Sequence, residues 1–246
     1  MAKGRKPKAL KQESHQPEAD TRGINQKYSN DEYWNKTVYN LDPGHPLVIQ
    51  RTKPVIDKVA EIISIHKNTK VLDIGCGAGD FTQHLAMLSD QVTGLDHSAY
   101  IFKKNKHHRL VIGDAMALKY PDNSFDIVFC ANTLHHIPDY PKAIAEMVRV
   151  SKKYVVIFEP NPLNPFMLAN GIMKKEERQI LHHPLTLRKL LNTYLANTKI
   201  VFKGYMTNLL FTNSIPPKVL NAMPNPHFVR HPFGTEFLVI AQKQKD

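Results

Sequence analysis

Val71-Leu-Asp-Ile-Gly-Cys-Gly-Ala-Gly-Asp80 decides the reading of this chain. A short apolar run ends in a turn with glycine at alternate positions, Gly75, Gly77 and Gly79. Glycine lets the backbone turn sharply and approach a ligand with no Cβ in the way. The helix expected over 78–88 would set its unpaired N–H groups and positive dipole end beside that turn. The third glycine comes one residue early for the G-x-G-x-x-G of dinucleotide sites, and no Lys-Ser/Thr pair follows as in a phosphate loop. Asp73 stands on the strand just before the turn, where a carboxylate repels a pyrophosphate and attracts a cation. That combination favours a nucleoside carrying positive charge, such as S-adenosylmethionine with its ammonium and sulfonium.

Outward from this stretch, short apolar runs alternate with helical segments. Strands are expected at 70–74, 91–95, 109–112, 125–130 and 154–158, with helices at 78–88, 98–104 and 140–150. Near-continuously apolar strands separated by helices predict an α/β fold, a parallel sheet covered on both faces. Upstream, Val55, Ile56, Val59, Ile62 and Ile63 recur at helical spacing over 54–65. Beyond Glu159 the pattern changes to a Pro/Asn-rich segment, Pro160 to Pro165, then a helix at 186–195 and strands at 199–205 and 236–241. A proline-rich excursion separates the last two strands.

The second and third strands add two acids. Gln91-Val-Thr-Gly-Leu-Asp96 ends in a carboxylate placed to accept both hydroxyls of a ribose. Ile112-Gly-Asp-Ala115 ends where Asp114 can accept from an adenine amino group and the Ala115 amide can donate to the ring.

Four segments, 71–80, 92–98, 113–115 and 125–139, together resemble the class I S-adenosylmethionine-dependent methyltransferases. The similarity is to the small-molecule branch that includes ubiquinone/menaquinone-biosynthesis methylases, and it covers roughly residues 70 to 160. The resemblance implies a Rossmann-like sheet of seven strands in order 3-2-1-4-5-7-6, with strand 7 antiparallel. It implies that Asp73, Gly75, Cys76, Gly77 and Gly79 line the methionine end of the cofactor. Asp96 would hold the ribose, His97 flank the adenine, and Asp114 with Ala115 recognise its edge. Ala131 and Asn132 would face the methyl donor.

Methyl transfer is an in-line displacement in which the sulfonium already leaves well, so placing the nucleophile and excluding water is the main task. A base is needed only where the acceptor is poorly nucleophilic while protonated. His135 and His136 follow Asn132-Thr-Leu at the lip where donor and acceptor meet, as catalytic groups or as structural parts of the loop. Glu159, ending the fifth strand, is another lip residue. Tyr28 and Tyr33 sit in an aromatic stretch with Trp34 and Tyr39, either a hydrophobic clasp or part of a binding site. His182 and His183 adjoin a proline and are further candidates. None of these histidine pairs has the i, i+4 spacing of a helical metal site, so no metal is expected.

The expected organisation is a basic tail over 1–25 without ordered structure and one methyltransferase domain over 26–246, with acceptor-site insertions near 160–185 and 206–234. The apolar residues and prolines of the segment 213–232 suit a lid over an aromatic or lipid-like acceptor, or packing against the sheet edge. The first expectation is therefore methyl transfer to an O or C centre of a small apolar metabolite. The net charge of +11 and the basic tail keep an RNA methyltransferase open. Against it, Ala131-Asn-Thr-Leu134 lacks the Asn/Asp-Pro-Pro-aromatic stretch that stacks a base. A non-catalytic, cofactor-binding fold member is the third reading, and Asp73, Asp96 and Asp114 argue against lost cofactor binding. Two cysteines, Cys76 and Cys130, exclude a disulfide framework, and no apolar run is long enough to span a membrane. A cytoplasmic protein with reduced thiols is the expectation, and Cys76 reads as a small turn residue rather than a nucleophile.

Overall fold

The computed structural model describes residues 42–98, 105–107, 109–173, 184–195, 200–206, 226–229 and 234–243. The tail 1–25, the aromatic stretch with Tyr28, Tyr33, Trp34 and Tyr39, His182 and His183 lie outside the described residues, as do 99–104 and most of 213–232.

Eight strands form one mixed sheet: β1 Val71–Ile74, β2 Val92–Asp96, β3 Leu110–Ile112, β4 Phe125–Ala131, β5 Ser151–Pro160, β6 Ile200–Met206, β7 His227–Val229 and β8 Glu236–Gln242. Their order is β3-β2-β1-β4-β5-β8-β6-β7. The first five run parallel, β8 is antiparallel to β5, and β6 and β7 continue antiparallel. The expected seven-stranded order is therefore corrected by one strand. The last strand takes the antiparallel place as foreseen, but His227-Phe-Val229, inside the proline-rich excursion, adds a short outer strand. Three residues between Pro226 and Pro232 carry too little periodicity to be read as a strand.

Each strand alternates its side chains between two cores. One face meets α1, Pro46–Ile62, whose Val55, Ile56 and Val59 join Val71, Phe129, Phe158, Tyr205, Leu238 and Ile240. On the opposite face, Ala143, Ile144 and Met147 of α3, Tyr140–Val150, pack with Leu187 and Leu191 of α5, Pro184–Tyr194. Leu72, Ile74, Val128, Cys130, Val155 and Ile157 supply the sheet side of that core. Period two places Asp73 on the α1 face, together with Val71.

Helix starts are where expectation and structure part. α1 begins eight residues before the expected start, at Pro46 capped by the His45 side chain, and runs through Pro54. Because Pro54 can occupy a first turn, sequence alone places the start there; burial of Val48, Arg51 and Thr52 extends the helix upstream. α2 spans only Thr82–Leu88, shorter than the expected 78–88. The positive φ of Gly77 (49°) and Gly79 (98°) keeps the preceding residues in a turn. α3 matches its expected span, with Asp139 capping the N–H of Lys142. The apolar 166–173 stretch becomes α4, Pro165–Met173, headed by Asn164, whose Oδ1 accepts from Met167 N–H.

Candidate functional site

The carboxyl ends of the parallel strands bring the sequence-predicted residues to one edge of the sheet. β1 delivers Asp73 and the glycine turn, and β2 delivers Asp96 and His97. β3 leads into Asp114 and Ala115, β4 into Ala131 and Asn132, and β5 into Glu159. In an open α/β sheet, ligands bind outside these ends where the strand order reverses, here between β1 and β4.

The turn after β1 is built for close approach. Gly75, Gly77 and Gly79 all have positive φ, 69°, 49° and 98°. A Cβ at Gly75 would lie 2.1 Å from Thr133 Oγ1, and one at Gly79 would lie 2.7 Å from Asn105 Oδ1. The N–H groups of Gly75, Cys76, Gly77 and Gly79 are spent internally. Gly75 and Cys76 donate to Leu95 O, Gly79 donates to Cys76 O, and Gly77 donates to Asp96 Oδ2 at 3.0 Å. The Asp73 and Asp96 carboxylates flank this turn, which favours a cation over a phosphate.

Asp73 is almost fully buried, and burial pushes its carboxyl up to about 7. The nearby Asp96 and Asp80 carboxylates push the same way, against the hydroxyl of Thr82 donating at 2.6 Å. A buried carboxyl poised at neutrality, with two acidic neighbours, is stabilised in its ionised form by an arriving positive group. Asp96 is held from two sides, by Gly77 N–H on Oδ2 and by Ser98 N–H on Oδ1, both at 3.0 Å. Each oxygen keeps a further lone pair, so the carboxylate is aimed and still able to accept two hydroxyls. His97 lies beside it, Nδ1 3.4 Å from Asp96 Oδ1. Asp114 Oδ1 accepts from Met116 N–H at 2.8 Å in a tight turn, and Ala115 packs onto the α3-side core.

After β4 the chain reverses through Asn132, whose φ of 49° is tolerated by a short polar side chain. Leu134–His136 then forms a single 3-10 turn. His135 is buried, and its Nδ1 lies 2.6 Å from Glu159 Oε2. The rings of His135 and His136 lie tilted by 45° with centroids 3.9 Å apart. Burial, followed by the neighbouring His135 and His97, holds His136 well below the usual imidazole pKa. Burial drives the thiols of Cys76 and Cys130 far above their ordinary values, which disfavours the thiolate form of each.

Sequence reasoning missed three contributors. Thr82 holds Asp73, and Thr133 fills the space beside Gly75 while its hydroxyl donates to Ala131 O at 2.9 Å. Asn105 donates to Gly77 O at 3.0 Å and clasps the glycine turn from the far side of β2. Thr82, just past the glycines, was the only one with a local signal. No group of three or more metal-ligating side chains occurs among the described residues, and none of their helices is long and apolar enough to cross a membrane.

Comparison with known proteins agrees with this geometry. Residues 72–158 match the family described as a methyltransferase domain. A demethylmenaquinone methyltransferase of Staphylococcus aureus is 39% identical over 105 residues, which cover 39% of this chain and 44% of that protein. The chain thus spans less than half the length of the curated relatives it matches. A Thermotoga maritima structure described as an SAM-dependent methyltransferase, possible histamine N-methyltransferase, superposes with a TM-score of 0.58 at 18% identity, over 80% of this chain and 92% of its own. Magnesium protoporphyrin IX methyltransferase from Synechocystis, with bound SAH, gives 0.56 at 17% identity, over 78% and 82%. Both share the fold.

Proposed function

We infer that this chain, which carries a class I S-adenosylmethionine-dependent methyltransferase domain, transfers the cofactor's methyl group to an O or C centre of a small apolar, aromatic or lipid-like acceptor. The observation that carries the reading is the row of acids at successive strand ends, with buried Asp73 beside a glycine turn whose N–H groups are already used. Residues 26–246 are taken as the catalytic domain. S-adenosylmethionine, when bound, supplies an electrophilic methyl carbon on a sulfonium.

The chain's own residues divide the work of holding it. Asp73, with the Gly75, Cys76, Gly77 and Gly79 backbone, receives the ammonium-bearing methionine end. Asp96 accepts from the ribose hydroxyls, His97 flanks the adenine, and Asp114 with the Ala115 amide reads its edge. Ala131 and Asn132 line the wall facing the methyl, next to Glu159 and His135. Nothing in these contacts needs a metal. The name of the Staphylococcus aureus relative supports an apolar acceptor, and the absence of a base-stacking motif at 131–134 weighs against exocyclic amines of nucleic acid.

The test is thermal denaturation with and without S-adenosylmethionine, followed by transfer of labelled methyl in a lysate. The cofactor should raise the Tm, Asp96→Ala should abolish the rise, and label should partition into organic solvent. No Tm shift in the parent chain would refute the cofactor site. Label lost on nuclease treatment would instead make RNA the acceptor.

A further inference from the structure

The glycines around the turn after β1 leave room for side chains of the protein itself. A Cβ on Gly94 of β2 would stand 2.9 Å from Cys76 Sγ, so Gly94 admits the cysteine of the turn. At Gly79 the space is taken by Asn105, whose Oδ1 and Cγ would lie 2.7 Å and 2.9 Å from a Cβ there. Asn105 stands outside every strand and helix, yet its side chain is buried against this turn.

The Asn105 amide makes three contacts. Its Oδ1 accepts the N–H of His107 at 3.0 Å, and its Nδ2 donates to Gly77 O at 3.0 Å. The same Nδ2 lies 3.7 Å from Cys76 Sγ. An N–H can meet only the oxygen and a C=O only the nitrogen, so the two partners fix which way the amide faces. His107 is itself tied to β2, because its Nε2 donates to Val92 O at 2.8 Å. The amide is thus anchored on one side and reaches the cofactor turn on the other.

Gly77 carries the contact onward. Its C=O accepts from Asn105, and its N–H donates to Asp96 Oδ2 at 3.0 Å. These two groups flank one Cα, so a grip on the C=O restrains the torsions that aim the N–H. Glycine has the most freedom to leave such a geometry, and the φ of Gly77 is 49°. Without Asn105 the N–H is no longer held against Oδ2. The Asp96 carboxylate can then turn about its bond from Ser98 N–H to Oδ1.

We propose that Asn105 is a positioning residue for the cofactor: through Gly77 it aims Asp96 at the ribose hydroxyls, and Gly79 is glycine in order to admit it. This rests on the S-adenosylmethionine site inferred above. The two ends of the amide have separate tasks. The Oδ1 contact shapes only the segment 105–107, whereas the Nδ2 contact reaches the turn. Aspartate has the same size and keeps the first contact, but as a carboxylate it cannot donate the second.

The test uses the full chain and S-adenosylhomocysteine, whose binding needs no methyl acceptor. Calorimetry should give a Kd raised about 3- to 10-fold in Asn105→Ala, the effect of one lost hydrogen bond. Gly79→Ala should raise the Kd by a larger factor in the parent than in the Asn105→Ala background, where the added Cβ meets no amide. Its φ of 98° strains both backgrounds alike. In the unliganded chain, hydrogen exchange at the Gly77 amide should be slow and should speed up in Asn105→Ala and in Asn105→Asp, while exchange across β1 stays slow. A general loosening of the fold would not confine the change to the turn. The aspartate variant keeps the volume of the side chain and carries this comparison even if the alanine variant fails to fold. A parent-like Kd in Asn105→Ala, equal Gly79→Ala factors in the two backgrounds, or unaltered Gly77 exchange in Asn105→Asp would each overturn the proposal. A parent chain that binds no S-adenosylhomocysteine would instead strike the underlying methyltransferase reading.

Discussion

Thr82 Oγ1 donates to Asp73 Oδ2 at 2.6 Å across the glycine turn, the only side-chain hydrogen bond that Asp73 makes among the described residues. One hydroxyl is little compensation for a buried carboxylate, and burial accordingly lifts the Asp73 pKa to about 7. The folded-state value is raised above the unfolded one of 3.8. Its contribution to stability is therefore fully present below about pH 4 and lost as pH rises to about 7. A cationic ligand reverses the preference, because it needs the ionised form. S-adenosylmethionine affinity should rise steeply from pH 6 to about 7 and level off above, with proton release on binding. Calorimetry in buffers of different ionisation enthalpy measures that release, and Asp73→Asn should abolish it together with most of the affinity.

The parallel half of this sheet was legible because its signals are local. Val71–Ile74 and Phe125–Ala131 are near-continuous apolar runs, and α3 falls on the expected 140–150, burying Ile144, Met147 and Val148. The gathering of Asp73, Asp96 and Asp114 at one edge of the sheet was legible for the same reason, since each stands at or just beside the carboxyl end of a strand. What escaped depends on partners distant in sequence. Asn105 matters because loop closure carries it to Gly77, and β7 exists because Gly204 to Met206 offer an open edge to His227–Val229. The true start of α2 is set by two left-handed glycines that periodicity cannot register.

His84 gives the opposite pH dependence. Thr52 Oγ1 donates to Val48 O at 2.8 Å, so at 2.9 Å it must accept from His84 Nε2–H. His84 Nδ1 is then a buried lone pair with no hydrogen-bond partner among the described residues. Protonation would place an unpaired donor there, and burial, aided by Lys53, lowers the pKa below 6.5. In the window beneath 6.5 the unfolded chain takes up a proton that the folded chain refuses, so stability falls as pH drops through it. Tm measured at pH 7.5 and 5.5 should fall more in the parent than in His84→Gln. An equal fall in both would discard the assignment; taking the difference cancels the opposing contribution of Asp73.

Arg51 Nη2 of α1 and Glu236 Oε1, at the start of β8, meet at 3.4 Å with almost no exposed surface. Thr235 Oγ1 completes the carboxylate at 2.6 Å, and the Tyr205 hydroxyl donates to Arg51 O at 2.8 Å. Burial raises the Glu236 carboxyl against the pull of Arg51. Arg51→Met would strand that charge and should cost about 3 kcal/mol or more. Adding Glu236→Gln should recover much of the loss. Urea denaturation of the two single variants and the double variant measures the coupling, and strict additivity would show that the pair is not a unit.

Gly75 is where turn geometry and packing make the same demand. Its φ of 69° disfavours any L side chain by about 1–2 kcal/mol, and a Cβ would stand 2.1 Å from Thr133 Oγ1 and 2.7 Å from Thr133 Cβ. Gly75→Ala should therefore lose the backbone term and an overpacking term of about 1–3 kcal/mol. Only the second involves Thr133, so Thr133→Gly in the Gly75→Ala background should return about that amount, leaving the backbone strain in place. In the parent background Thr133→Gly should instead destabilise, through loss of its hydroxyl bond to Ala131 O and through added chain entropy. A double-mutant cycle read by denaturant midpoints separates these terms. If Thr133→Gly destabilises equally in both backgrounds, steric contact with Thr133 is not what reserves position 75 for glycine.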